Sequence, residues 1–195
     1  MSSYITTSSK IHFTPVSPDP EQIVIRDIAH ALSLMTRANG HFPEFYSVGQ
    51  HCIHCYEEAV ARKYSPFLCK ACLLHDASEA YLADITRPVK QFLPGYLEIE
   101  KRLQDTIYEK FLGRVPTETE QTAISSVDDT LLYYEFDHYM GEKLQKKPPK
   151  LYSAPIFEQK TFSEIEEKYI LFSQSCQISI TNFQYSVNKR KGKYR

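Results

Sequence analysis

Residues 71–79 read Ala-Cys-Leu-Leu-His-Asp-Ala-Ser-Glu, and this stretch sets two ionisable side chains, His75 and Asp76, at the end of an apolar run. The apolar residues predict a buried helix. An imidazole and a carboxylate buried side by side cost several kcal/mol unless something compensates them, and a divalent cation is the usual compensation. The stretch therefore predicts a metal site whose remaining ligands lie elsewhere in the chain.

A second histidine lies on the helix predicted immediately upstream, over residues 48–63. His51 shares the apolar face of that helix with Val48, Cys52 and Cys55. His54 lies on another face beside Gln50, Glu57, Glu58 and Ala61, and we expect it to be a solvated helix histidine rather than a ligand. His51 is thus the histidine expected to accompany His75.

The spacing of the two helices allows these side chains to meet. The break at 64–66, with Pro66 at a first helical position, predicts that residues 48–63 and 66–79 form an antiparallel pair. His51 lies about 13 residues before the turn and His75 about 11 after it, so at about 1.5 Å per residue they differ by roughly 3–5 Å along the axis. That separation is within the reach of one ion.

A downstream acidic residue completes the set of candidate ligands. Asp128 lies in an apolar helical stretch, with Ile124, Leu131 and Leu132 on its face. The neighbouring Asp129 shares its face with Ser125, Ser126 and Tyr133. We therefore prefer Asp128, and Asp129 stays open as the alternative.

Four cysteines offer a rival metal site. Cys52-x2-Cys55 and Cys69-x2-Cys72 have the spacing of a zinc ribbon. In the antiparallel arrangement, however, Cys52 and Cys69 differ by on the order of 10 Å along the axis. The pairs also lie among Ala, Leu, Ile and Val rather than in turns, so we expect these cysteines to be small core residues.

Composition narrows the class of protein. A length of 195 residues suits one domain with a buried core, and a formal net charge of −1 gives no basic field for nucleic acid polymers. No segment approaches the roughly 20 apolar residues of a membrane span. Five cysteines, an odd number, favour reduced thiols and a cytoplasmic protein. We expect a small-molecule partner and no membrane; a homodimer is left open.

The periodicity of the chain is mostly helical. A first helix is expected from the Asp19-Pro20-Glu21 cap to about Asn39-Gly40, and later helices over about 96–112, 117–141 and 162–173. The expected domain runs over 1–176. The tail, 177–195, alternates like a short strand over 177–183 and then becomes basic and poorly ordered.

These residues resemble a known family. His51, the His75-Asp76 pair and Asp128 are similar to the ligands of the HD-domain metal-dependent phosphohydrolases. The string His75-Asp76-Ala77-Ser78-Glu79, followed by Asp84 and Pro88-Val89-Lys90, resembles the branch of the bacterial 5'-deoxynucleotidases and related phage nucleotide hydrolases. Ser47-Val48-Gly49-Gln50-His51 looks like its opening motif, and the resemblance covers about 27–135. It implies an all-α HD-domain helical bundle, here with a short C-terminal extension.

The resemblance also implies a chemistry for these residues. One divalent ion would be held by His51, His75, Asp76 and Asp128, a mixed nitrogen and oxygen set that suits Mn²⁺, Co²⁺, Fe²⁺ or Zn²⁺ better than Mg²⁺. Glu79 resembles the acid–base carboxylate of the family, and Asp84 resembles a second carboxylate near the attacking water.

Substrate contacts follow from the same resemblance. Arg37 resembles the arginine that grips the substrate phosphate, and Arg87 and Lys90 are weaker candidates for that task. Ala38 and Arg87 depart from the deoxynucleotidases, which have an aromatic residue and a threonine there. We expect a 5'-nucleotidase acting on (deoxy)nucleoside monophosphates. A nucleoside di- or triphosphate hydrolase on the same scaffold is the alternative, and a non-catalytic metal-binding interaction module is a remote one.

Overall fold

Helix α2 (Val48–Ala61) is the central helix of the protein, because every residue from Val48 to Tyr56 is buried. In the computed structural model, which describes residues 3–175, the other helices pack around it. Burial on all sides explains why α2 carries few charges, since an unpaired buried charge is costly. The fold class is all-α, as the sequence predicts.

Seven further helical segments surround α2 in the described chain. They are α1 (Ile25–Leu34), α3 (Pro66–Leu74), α4 (Glu79–Leu82), α5 (Arg87–Lys90), α6 (Pro94–Leu112), α7 (Glu118–Met140) and α8 (Phe162–Gln174). Helices α1, α3, α7 and α8 pack directly on α2, and α6 packs on α3. One hydrophobic cluster runs through all of these contacts, from Phe13 to Tyr169.

The ends of the later helices follow their capping residues. Helix α7 begins with a capping box between Thr117 and Glu120 and ends at Gly141, which has a left-handed φ of 65°. Helix α8 begins with the equivalent box between Thr161 and Glu164. These polar signals are local, so the sequence predicts these boundaries to within a few residues.

A close approach of helices explains one glycine. A Cβ placed on Gly49 of α2 would lie 2.9 Å from Ile165 Cγ2 on α8 and 3.1 Å from the backbone of Leu32 on α1. Real Cβ atoms essentially never show a contact of 2.9 Å, and 3.1 Å is tighter than nine in ten of their contacts, so the neighbours would have to move. The absence of a side chain at Gly49 therefore lets α1 and α8 pack against the start of α2.

The first predicted helix is wrong at both ends. Asp19 caps a short 3-10 turn, Pro20–Gln22, and α1 begins only at Ile25 after extended residues. At its other end α1 stops at Leu34, because Thr36 turns extended to form a bridge with Ser47. The segment before α1 also holds a small antiparallel hairpin, β1 (Ile5–Thr6) and β2 (His12–Phe13), that the sequence does not predict.

The predicted tail lies outside the described residues, both the strand-like stretch at 177–183 and the basic end. Within residues 3–175, no helix combines the length and the apolar composition needed to cross a bilayer.

Candidate metal centre and active site

Four side chains from three parts of the fold converge beside α2. His51 Nε2 lies 3.3 Å from His75 Nε2, 3.2 Å from Asp128 Oδ1 and 3.9 Å from Asp76 Oδ2. His75 Nε2 lies 3.2 Å from Asp76 Oδ2 and 3.8 Å from Asp128 Oδ1. Two nitrogens and two oxygens at these separations form a set that one divalent ion could bridge after small adjustments.

The end of α3 is reshaped to present the His75-Asp76 pair. Regular helix stops at Leu74, and the next residues make tighter bonds of the 3-10 type, such as Ala77 N–H to the Leu74 carbonyl. Gln104 of α6 stabilises this turn, because its amide donates to the Leu74 carbonyl at 2.8 Å and accepts from Ser78 N–H at 3.0 Å. The sequence predicts one helix through residue 79, so this break is a correction.

Both histidines direct the same ring nitrogen into the cluster. His75 Nδ1 lies 2.8 Å from the Cys72 carbonyl, and His51 Nδ1 lies 2.5 Å from Glu135 Oε1. A carbonyl oxygen and an ionised carboxylate only accept hydrogen bonds, so each Nδ1 must carry the hydrogen. Each Nε2 is therefore the atom left for an ion, which is the usual arrangement of metal-bound histidine.

The charges of the cluster are those of a cation site. Burial opposes ionisation of Asp76, yet His75 and Arg37 hold the pKa of its carboxyl below the usual range, and His51 and His75 do the same for Asp128. Burial likewise opposes protonation of His75, but Asp76 raises the pKa of its imidazole well above the usual value. Asp76 Oδ2 is buried and accepts no hydrogen bond from the described residues. Without an ion, protons on the imidazoles thus neutralise the negative charge of the two carboxylates. A bound metal ion would take over that role.

Glu135 is a functional candidate that the sequence reasoning missed. It is fully buried, and its carboxylate accepts from His51 Nδ1, from Tyr46 Oη at 2.9 Å and from Arg37 Nη2 at 3.4 Å. Although burial opposes it, the charges of His51 and Arg37 lower the pKa of Glu135 to about 2. Glu135 follows Asp128 by seven residues, two turns along the same face of α7, and this spacing was the available signal.

His54 is not solvated, contrary to the prediction. Its side chain is buried, and its Nδ1 lies 2.9 Å from Tyr46 Oη, which in turn donates to Glu135. Burial lowers the pKa of His54 to about 3, so the ring is neutral. The polar sequence neighbours of His54 misled the prediction, because the 150–158 segment and Tyr46 cover that face of α2.

Arg37 reaches the same cluster from a short 3-10 segment, Arg37–Gly40, rather than from a helix end. Its guanidinium lies 3.5 Å from Asp76 Oδ2 and 3.8 Å from Asp128 Oδ1, beside its contact with Glu135. Ala38 and Asn39, which follow it, both have positive φ values, 50° and 49°. The main chain is therefore bent sharply where it brings this buried cation to the candidate ligands.

Glu79 and Asp84 flank the cluster on the side of α4. Glu79 is buried, and Oε2 of its carboxyl has no hydrogen-bond partner among the described residues. Burial together with the charges of Asp76 and Asp84 raises the pKa of Glu79 to about 9. Burial also raises the pKa of Asp84. Glu79 is thus protonated at neutral pH in the absence of an ion and can donate a proton.

A cavity of about 820 Å³ opens from the cluster between α6 and the start of α7. Of the four cluster side chains, His75 and Asp76 line this cavity, and Glu79 lines it with them. Leu97, Val115 and Pro116 are its apolar lining residues. The volume is in the range of small-molecule sites. The lining therefore combines apolar side chains with ionisable ones.

The two weaker candidate cations lie at different places. Lys90 lines this cavity, with Nζ 2.7 Å from Glu100 Oε1 and 3.5 Å from Glu79 Oε1. Arg87 does not line it; its guanidinium binds Asp128 Oδ2 at 2.6 Å and Asp129 Oδ1 at 2.7 Å. Asp129 points outward, with a side chain 57% exposed against 18% for Asp128. The geometry thus favours Asp128 over Asp129 as the inward carboxylate.

The cysteines divide between two environments. Cys55 Sγ lies 3.4 Å from His51 Nε2, and Cys52 lies within 4.8 Å of ligand atoms of His75 and Asp76. Cys69 instead donates to the Tyr64 carbonyl at 3.6 Å. Among the described residues, Cys55 and Cys52 each lie close enough to two other potential ligands to share an ion with them, and Cys69 and Cys72 do not. All four are buried free thiols, which agrees with their predicted role as core residues.

Comparison with known proteins gives relatives without an assigned activity. No family model matches the chain. Over 109 residues it is 39% identical to the uncharacterized protein YfdR of Escherichia coli, a match that covers 56% of the chain and 58% of YfdR. Over 134 residues it is 34% identical to the uncharacterized protein RCAP_rcc00048 of Rhodobacter capsulatus, covering 65% of the chain and 67% of that protein. The chain therefore spans less than two thirds of the length of YfdR and belongs to the same family as the R. capsulatus protein.

Proposed function

We propose that the protein is a metal-dependent phosphohydrolase acting on nucleotides. It would release phosphate from nucleoside monophosphates. The observation that carries the proposal is that His51 Nε2 and His75 Nε2 lie 3.3 Å apart, and that each lies 3.2–3.9 Å from one oxygen of Asp76 and one of Asp128. The likeness of these residues to the HD-domain ligands supports it independently.

The four side chains would hold one ion of Mn²⁺, Co²⁺, Fe²⁺ or Zn²⁺, and Mg²⁺ suits two imidazoles less well. When bound, such an ion polarises a phosphoryl group and lowers the pKa of water, so that a nucleophile is available near neutral pH. Arg37, which lies 3.4–3.8 Å from carboxylate oxygens of Asp76, Asp128 and Glu135, would bind phosphate oxygens beside the ion.

Proton transfer is assigned to the carboxylates of the α4 side. Glu79 would donate a proton to the oxygen of the departing nucleoside. Its buried carboxyl holds a proton at neutral pH, and its Oε2 makes no hydrogen bond to another described residue. A cation on the neighbouring ligands would bring its pKa down toward neutrality, where acid–base groups act best. Asp84, two residues beyond the end of α4, would position the attacking water.

The charges in the large cavity favour a monophosphate over a longer phosphate chain. Its two lysines are already paired, Lys90 with Glu100 and Lys101 with Asp105 at 2.5 Å. Glu118 adds a further negative charge to the lining. A second or third phosphate directed into this cavity would be repelled by its carboxylates, whereas an uncharged nucleoside would not be repelled.

A cytoplasmic location is part of the proposal. The buried thiols Cys52, Cys55, Cys69 and Cys72 form no disulfide, which suits a reducing compartment.

The deciding experiment combines metal analysis with product analysis. Purified protein, loaded with Mn²⁺ or Co²⁺, is given nucleoside mono-, di- and triphosphates, and orthophosphate, pyrophosphate and triphosphate are measured separately. Asp128→Asn should lose both the ion and the activity. Asp129→Asn is the matched control, because it changes the adjacent but outward carboxylate, and it should keep the ion.

Each result has a defined meaning. Orthophosphate from monophosphates alone supports the proposal, whereas triphosphate or pyrophosphate from nucleoside triphosphates favours the longer-chain alternative. Full metal occupancy in both Asp128→Asn and His75→Ala would refute the metal centre. An ion bound by the wild type without hydrolysis of any nucleotide would leave a non-catalytic metal-binding module.

A further inference from the structure

A second, smaller cavity also touches α4, through Ala80 and Tyr81, whereas Glu79 of that helix lines the large one. Its volume is about 140 Å³, and it is enclosed by the β1 hairpin, α1 and α4. Thr6, Thr7 and Ser8 line it from the hairpin, Asp27 and His30 from α1, and Tyr81 from α4. Its lining is rich in oxygen atoms, although it lies against the hydrophobic core.

Two buried polar atoms of this lining have no hydrogen-bond partner among the described residues. They are Asp27 Oδ2 and Tyr81 Oη, in residues that are only 4% and 7% exposed. The other Asp27 oxygen, Oδ1, accepts from Ser9 N–H of the hairpin at 2.7 Å. A buried carboxylate with one satisfied oxygen and one orphaned oxygen is an expensive arrangement unless a ligand completes it.

The surrounding charges do not complete it. Asp27 lies in the first turn of α1, where the positive end of the helix offsets part of its charge. His30 is the basic side chain of the lining, but its Nδ1 lies 3.0 Å from Glu166 Oε2 on α8. None of the described residues that line the cavity is a lysine or an arginine. The missing partner is therefore small and either positively charged or a strong hydrogen-bond donor.

We propose that this cavity binds one small monovalent cation, an alkali ion or ammonium, held by Asp27 and Tyr81 together with oxygen atoms of the hairpin. A single carboxylate among neutral oxygens matches a monovalent ion better than a divalent one, because divalent sites recruit more charge. The volume accommodates an ion of this size together with several waters. This site is separate from the metal centre, to which it contributes none of its residues.

Occupation of the site would tie three elements together. Asp27 already anchors the hairpin through Ser9, and an ion shared with Tyr81 would add α4 to that anchor. Tyr81 follows Glu79 by two residues in α4. The cation therefore stabilises the element that carries the proposed acid–base residue.

The test measures thermal unfolding of the full chain in potassium, sodium and ammonium chloride, each against tetramethylammonium chloride at equal ionic strength. Tetramethylammonium is the control because it is too large and donates no hydrogen bonds. For the wild type, the midpoint should rise by roughly 3–5 °C for each tenfold increase of the cation above its dissociation constant. The three salts distinguish an alkali ion from ammonium.

Variants locate the effect. Asp27→Asn and Tyr81→Phe should remove the difference between small and large cations, whereas Asp19→Asn, an exposed carboxylate that caps the 20–22 turn, should keep it. Tyr81→Phe keeps the ring in the core, so it remains informative if Asp27→Asn does not fold. A crystal soaked in rubidium chloride should show anomalous scattering beside Asp27.

Three results would overturn the proposal. The first is equal unfolding midpoints of the wild type in small and large cations, and the second is a salt response that persists in both cavity variants. The third is a rubidium-free cavity filled by water only. Because the test measures unfolding and anomalous scattering, its result does not depend on whether the protein hydrolyses nucleotides.

Discussion

Replacement of Glu135 by glutamine tests whether the buried carboxylate orients the metal centre. Glutamine has nearly the same shape, so the hydrophobic packing of α7 is kept. It still offers one oxygen to His51 Nδ1 and Tyr46 Oη, but it removes the negative charge. Its NH₂ group would also face Arg37 Nη2, which now lies 3.4 Å from Oε2, and two donors would then meet.

These contacts set the expected losses of metal affinity and of folding stability in Glu135→Gln. Loss of the carboxylate partner of a metal-binding histidine weakens metal affinity by about 10–100-fold, which corresponds to about 1.4–2.7 kcal/mol. The cost to folding should be roughly 1–3 kcal/mol. It should stay below the roughly 3–5 kcal/mol of a fully broken buried ion pair, because Arg37 keeps Asp76 and Asp128 as partners.

Two assays separate these effects. Isothermal titration of Mn²⁺ or Zn²⁺ into metal-free protein measures affinity, and urea unfolding measures stability. Asp137→Asn, a half-buried acid two residues further along α7, is the control and should change neither strongly. Metal affinity of Glu135→Gln equal to that of the wild type would show that Glu135 does not orient His51, whatever its effect on stability.

Three further predictions use other parts of the protein. Glu79→Gln should keep the ion and substrate binding but slow turnover by roughly 10²–10⁴-fold, measured as kcat and KM with the preferred nucleotide. Glu58→Gln should destabilise the protein at neutral pH and less so in acid. Burial alone would raise the pKa of the Glu58 carboxyl, but hydrogen bonds from Ser153 and Arg62 hold it below its ordinary 4.5. The stability that ionised Glu58 contributes is therefore complete above pH 4.5 and is lost as the pH falls through the lower pKa of the folded state. Gly49→Ala should cost about 1–3 kcal/mol in urea unfolding, because the new methyl group would press on α1 and α8.

Matched variants decide these three tests. Glu98→Gln, an exposed acid on α6, should leave turnover unchanged, and normal turnover in Glu79→Gln would assign proton transfer to Asp84 or to water. For the pH test, a stability gap between wild type and Glu58→Gln that is the same at pH 7 and in acid would contradict the pKa direction. Gly95→Ala is the control for packing, since its Cβ would meet no atom within 4 Å.

The sequence by itself determined the helical class and the small axial offset between His51 and the His75-Asp76 pair. Apolar periodicity and capping residues act locally, so α7 and α8 are found near their predicted bounds. Helix rise is equally independent of context, and it was sufficient to predict that His51 and His75 could approach across the turn before Pro66. The preference for Asp128 over Asp129 came from the same periodicity.

Tertiary packing alone decided which polar side chains are buried and what they contact. His54 lies among polar sequence neighbours, yet Tyr46 and a loop distant in sequence cover it. Glu135, Arg37 and Asp27 each meet partners that are distant in sequence. Regular helix ends at Leu74, before His75 and Asp76, where Gln104, thirty residues further along the chain, donates to the Leu74 carbonyl. Burial and hydrogen-bond satisfaction depend on the whole surface around an atom, and a local pattern contains only the part contributed by its own helix.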